Sequence, residues 1–234
     1  MRPRFVLLHS PALGPRTWQP VAARLAEIGE DAVVPSLLAM TDGAPPYWPR
    51  AVAAVQAELA DDRPVVLVAH SNAGLFVPVI GDELRQPVVA SVFVDAALPA
   101  RSGPSAAAPA GLLPLLQGLA DGNGRLPGWT DWWGDDDVAA LFPDAATHRE
   151  VAAEQRRLPL DYFTQRIPTP GTWDDHPHTY VHVSPAYDAT AADAESRGWT
   201  VRRLPGQHLH QLVDPHGVAT LLVEAFSRAG DLNR

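Results

Sequence analysis

Neither cysteine nor lysine occurs among the 234 residues of this chain. Without cysteine there is no disulfide, no thiol nucleophile and no thiolate metal site, although the compartment is not settled by that alone. Without lysine no side chain can form a Schiff base. All 18 basic residues are arginines, a usage that suggests a GC-rich genome. Basic runs are missing as well, and the net charge of −9 argues against nucleic acid or an anionic membrane surface as a partner. No stretch approaches transmembrane length. The apolar run 5–8 is too short for the core of a signal peptide, so the expected place is the cytoplasm. Phosphate loops are absent too: Gly74 belongs to no GxxxxGK pattern, the dinucleotide fingerprint is missing, and no cofactor is expected.

What is present describes a globular enzyme-sized chain. Apolar residues make up 46% and charged residues only 19%, enough to bury one sizeable core in a single domain. Short apolar runs at 5–8, 32–35, 65–69, 90–95, 179–184 and 200–204 read as strands. Helical periodicities lie between them: Trp18, Val21, Leu25 and Ile28; Trp48, Val52, Val55 and Leu59; 189–197; and Val218, Leu221, Leu222, Ala225 and Phe226. This alternation predicts a mostly parallel twisted sheet with helices on both faces, with its ligand site beyond the carboxyl ends of the strands. The stretch 99–177 breaks the rhythm. No strand is evident there, helices are expected over 112–119, 138–142 and 145–158, and Trp129, Trp132, Trp133, Tyr162, Phe163 and Trp173 are too many aromatics for a disordered linker. The expected organisation is a core of 1–98 and 178–234, with 99–177 inserted as a helical lid.

Two short segments carry chemistry. Val65–Ala69, His70, Ser71, Asn72, Ala73 and Gly74 form a buried-strand pattern ending in a serine among small residues, followed by the helical face Leu75, Phe76, Val79, Ile80 and Leu84. A serine at such a turn holds its hydroxyl above the sheet, and the amides of the following helix receive developing negative charge. Near the C-terminus, His208 follows Gly206 in a loop between the last strand and the last helix. From there it can reach the serine as general base and then acid.

These segments resemble the α/β-hydrolase superfamily over essentially the whole chain. The family's Gly-x-Ser-x-Gly elbow is similar to Ala69-His70-Ser71-Asn72-Ala73. His9-Ser10-Pro11 with Trp18 resembles its His-Gly segment, and Gly206-x-His208 resembles its histidine loop. The resemblance implies an acyl-serine mechanism with Ser71 as nucleophile and His208 as base. It also implies an oxyanion hole that uses the N–H of Asn72. The usual second donor falls on Pro11, which has no N–H, leaving Ala12, Leu13 or the Ser10 hydroxyl. The family's usual acid position after 179–184 holds Tyr187. Asp188 is one residue further and is the alternative acid. Asp95, which ends the strand 90–95, is favoured because some members carry the acid there and because a carboxylate ending an apolar strand needs a partner.

His9 and His70 flank the expected site and, with Trp129, Trp132, Trp133, Tyr162 and Phe163, are candidate substrate contacts. His176, His178 and His182 lack a fixed third ligand, and no metal is expected. The Asp135–Asp137 run reads as the solvated start of a helix. The expected activity is hydrolysis of an ester, thioester or lactone of a small, apolar metabolite, with no partner beyond that substrate. A lyase or tailoring enzyme of this fold, or a ligand-binding member, are the alternatives.

Overall fold

The structure is a computed structural model describing residues 2–231. Among them, six parallel strands form one sheet in the order β2-β1-β3-β4-β7-β8. They are β1 (Arg4–Leu8), β2 (Ala32–Val33), β3 (Val65–Ser71), β4 (Val88–Ala96), β7 (His178–His182) and β8 (Thr200–Arg203). All six expected strands are found, as is the expected fold class. The central strands read as unbroken apolar runs because both faces are covered. On one face Phe5, Leu7, Val66, Val68, Val92 and Val94 pack with helices α1 (Gln19–Glu27) and α9 (Pro215–Asp231). On the other, Val6, Leu8, Leu67, Ala69 and Phe93 join the core with α2 (Trp48–Ala57), α3 (Val77–Glu83) and α7 (Asp188–Ser196). Full burial of each such Val, Leu or Phe is worth about 1.5–3 kcal/mol.

The 99–177 stretch holds α4 (Leu113–Leu119), α5 (Asp135–Ala139) and α6 (Ala145–Glu154), close to the expected helices. Against expectation it also holds two strands, β5 (Ser105–Ala106) and β6 (Arg166–Ile167), paired antiparallel. Two residues each are too few to show a periodicity. Leu116, Leu126, Leu158 and Ile167 of this stretch share one hydrophobic cluster with the sheet residues Leu67 and Phe93. Among the described residues no helix is long and apolar enough to cross a membrane.

The chain passes from β1 to β2 on one side and then crosses back to β3 on the other side of β1, so its connections reverse direction there. A crevice opens at the carboxyl ends of the strands. His9, Ser71, Asp95 and Ser184 all lie at or just past such ends.

Candidate active site

Ser71 ends β3 with φ 58° and ψ −132°, a backbone state that costs a non-glycine residue about 1–3 kcal/mol. The surroundings hold it there. Ala69 and Ala73 are fully buried, so the two alanines at the family's glycine positions fit the turn. The glycine that cannot be replaced is Gly74: a Cβ there would lie 2.1 Å from the carbonyl oxygen of Ala97. The turn Asn72–Phe76 winds as a 3-10 helix before α3, whose second residue is Pro78.

Asp95 is placed by a bulge. His70 pairs with Val94 and Ser71 with Ala96, leaving Asp95 as the extra residue, at φ 41°. Its side chain turns toward the end of β7. It accepts hydrogen bonds from the N–H groups of Val183 (2.8 Å) and Ser184 (3.1 Å) and from the Ser184 hydroxyl. The Nδ1 of His208 lies 3.3 Å from the same carboxylate. Burial alone would raise this carboxyl, but the hydrogen bonds from His208 and Ser184 outweigh it and hold it below the ordinary range. Asp188 is elsewhere. It starts α7, is largely exposed, and pairs with His182 at 2.8 Å.

The histidine loop is anchored by its neighbours. Gly206 N–H bonds the Val183 carbonyl at 3.0 Å, and Leu209 is fully buried in a small cluster with Leu13, Val138 and Leu212. A Cβ on Gly206 would meet the His210 ring at 2.4 Å, so glycine lets the loop close on that ring. The imidazole of His208 lies between two rings, Tyr187 at 5.0 Å and nearly parallel (7°) and His70 at 4.5 Å. Burial pushes the Tyr187 phenol up to about 12.

A cavity of about 580 Å³, within the range of small-molecule sites, is lined by Ser71, Asn72, Ser10, Ala12, Tyr187 and His208. Its remaining wall is mostly apolar, with Asp137 and Thr190 as the polar exceptions, and includes Trp129, Trp132, Trp133 and Phe163 from the 99–177 stretch. Of the possible second donors after β1, the Leu13 N–H is used by the Ser10 carbonyl at 2.9 Å. The Ala12 N–H is held only by a long 3.4 Å contact to the Ser10 hydroxyl.

Three expected substrate contacts are not on this wall. His9 is fully buried, with Nδ1 on the Ser10 carbonyl (2.8 Å) and Nε2 accepting from the Leu37 N–H (2.9 Å). That pattern fixes a neutral ring, and burial lowers it to about 4. His70 sits behind His208, donating from Nε2 to its carbonyl at 2.8 Å, and burial lowers it to about 3. Tyr162 is buried too; its hydroxyl donates to the Asn72 side-chain oxygen, while the Asn72 amide donates to the Ala107 carbonyl at 2.9 Å. All three support the site from behind through bonds to partners distant in sequence, although the Nδ1 of His70 is buried without a partner. Two residues at the site were missed as contributors, Tyr187 and Ser184. The only signal for the first was its place at the family's acid position.

Among the described residues no group of three His, Asp or Glu could hold a metal ion. His176 bonds Ser91 at 2.7 Å, and His178 packs against Trp173 and Trp199.

Comparison with known proteins agrees with this architecture. Among solved structures, an extracellular alpha/beta-hydrolase from a Paenibacillus species superposes with a TM-score of 0.74 at 18% identity, covering 96% of this chain and 99% of that one. Polyneuridine aldehyde esterase follows the same fold (TM-score 0.67, 17% identity, 96% and 99% covered), as does a pyrethroid hydrolase (0.71, 16%, 96% and 97%). No protein of curated function matches the sequence. Residues 5–221 match the alpha/beta hydrolase family, and the chain belongs to it.

Proposed function

We propose that this chain is a serine hydrolase that cleaves an ester, thioester or lactone of a small, largely apolar metabolite through an acyl-serine intermediate. The observation that carries the reading is the convergence on one cavity of a strained Ser71 and of His208, whose Nδ1 faces the buried Asp95.

In this mechanism His208 takes the Ser71 proton as Oγ attacks the carbonyl carbon, then delivers it to the leaving oxygen. Asp95 stays ionised, keeps the proton of the neutral ring on Nδ1, and stabilises the imidazolium. The N–H groups of Asn72 and Ala12 receive the oxyanion, each such donor being worth about 10²–10³ in rate. The Ser10 hydroxyl lies beside the second of them. Trp129, Trp132, Trp133 and Phe163 receive the apolar part of the substrate as a lid, and the esterase and hydrolase neighbours support ester chemistry.

A panel of short esters tests this with the wild-type protein and Ser71→Ala. Removing the nucleophile lowers turnover by about 10⁴-fold or more while the fold is kept. Undiminished ester turnover in Ser71→Ala contradicts the serine mechanism. Ligand binding without turnover of any ester points to a non-catalytic member.

A further inference from the structure

The short turn Pro185–Tyr187 after β7 delivers Tyr187 to the reacting centre, where the mechanism above assigns it no part. In this chain the carboxylate facing His208 comes from β4, so the loop after β7 is released from supplying one. Its tyrosine lies flat against the imidazole, with ring centres 5.0 Å apart and planes 7° apart. The residue opens onto the cavity that Ser71 and His208 also line.

We propose that Tyr187 is a further catalytic residue, whose hydroxyl donates a hydrogen bond to the alcohol oxygen of the substrate as the acyl–oxygen bond breaks. The inference rests on the serine-hydrolase reading. The proton that His208 takes from Ser71 must be handed to the leaving oxygen, so that oxygen has to arrive beside both groups. Tyr187 lies flat against the first and lines the same cavity as the second, where the alcohol oxygen of an arriving substrate gives its hydroxyl a partner. When the tetrahedral intermediate collapses, the carbon–oxygen bond to the alcohol breaks and its electron pair goes to that oxygen. The proton comes from His208. Tyr187 keeps its own proton throughout and lends only the hydrogen bond, which a phenol kept protonated by burial can do across the working pH range.

The test is a series of esters with one acyl group and alcohols running from 4-nitrophenol through trifluoroethanol to ethanol, compared as kcat/KM in wild type and Tyr187→Phe. The phenylalanine keeps the ring on His208 and removes only the hydroxyl; an unchanged melting temperature verifies the fold. Nitrophenoxide leaves with little help, so its loss is a few-fold, whereas the ethyl ester loses about 10–100-fold, the scale of one hydrogen bond to a charged oxygen. A loss that is equal along the series, or absent, overturns the assignment and leaves Tyr187 as a packing surface for His208. Ser71→Ala measured on the same esters separates the two levels of the argument. Full activity there removes the acyl-serine reading itself, while an inactive Ser71→Ala beside a flat Tyr187→Phe series removes only the role of the tyrosine.

Discussion

The two walls of the cavity are fixed by different forces. On the sheet side the polar groups are held by named partners: Asp95 by two backbone N–H groups and a hydroxyl, His9 by Leu37 and Ser10, and the His208 carbonyl by His70. On the 99–177 side the wall is mostly aromatic and aliphatic surface, Asp137 apart, with Trp132 edge-on to Phe163 at 5.6 Å and Trp133 44% exposed. Hydrogen bonds fix direction, so the first wall can hold reacting groups to a fraction of an ångström. Apolar contact fixes shape only, and the second wall can change its residues without disturbing the chemistry.

The sharpest contrast is expected on the first wall. His208→Ala lowers kcat/KM by about as much as Ser71→Ala, roughly 10⁴-fold or more, whereas His210→Ala costs far less because its ring only packs on Gly206. The reverse order, read by steady-state kinetics on one activated ester, shifts the base by two residues. Next comes the acid. Asp95→Asn lowers the acylation rate by about 10²–10⁴-fold, since an amide can hold the wrong imidazole tautomer. Asp188→Asn leaves acylation close to wild type, because its partner is His182. Stopped-flow bursts with a nitrophenyl ester distinguish the two, and equal effects would dissolve the contrast between them.

A smaller effect separates the buried polar groups from the open wall by pH. His9, His70 and His178 are buried, with ring values lowered to about 4, 3 and 3. Their neutral forms are the folded ones, so below the ordinary value of about 6.5 the unfolded chain takes up protons that the folded chain refuses. The stability is therefore fully present above pH ~6.5 and is lost as pH falls toward 4, each group adding up to about 1.4 kcal/mol per pH unit. Both ring nitrogens of His178 lack a partner among the described residues, which makes His178→Phe the variant that flattens this slope. Melting temperatures by circular dichroism between pH 7 and pH 4 read it; a variant slope equal to wild type refutes the assignment. Smallest of all, Trp133→Ala raises KM several-fold, lowers kcat less, and leaves the melting temperature nearly unchanged. A collapse of kcat there would mean that the second wall also positions the reacting groups.

The same contrast governs what was legible in the sequence. Buried strands in a parallel sheet are contiguous apolar runs, which made the central four plain, while the edge strands β2 and β8 showed only through short runs at 32–35 and 200–204. The elbow at Ser71 and the loop at His208 are short local patterns whose residues are neighbours in the chain. The destinations of His9, His70 and Tyr162 were not visible, because Leu37, the His208 carbonyl and Asn72 come from remote parts of the chain. Nothing in a linear pattern distinguishes a histidine facing a cavity from one satisfied behind it. The bulge that turns Asp95 toward His208 arises from a one-residue slip against β3, a pairing property with no sequence signature of its own. Tyr187 became visible as a contributor only when its ring was found on the imidazole.

The account stands most directly on the identity of the nucleophile. Reaction with a fluorophosphonate probe followed by intact-protein and peptide mass spectrometry measures it. One adduct on Ser71 is predicted in the wild-type protein, none in Ser71→Ala, slower formation in Asp95→Asn, and wild-type formation in Asp188→Asn. An adduct on another residue, or labelling that survives Ser71→Ala, would contradict it.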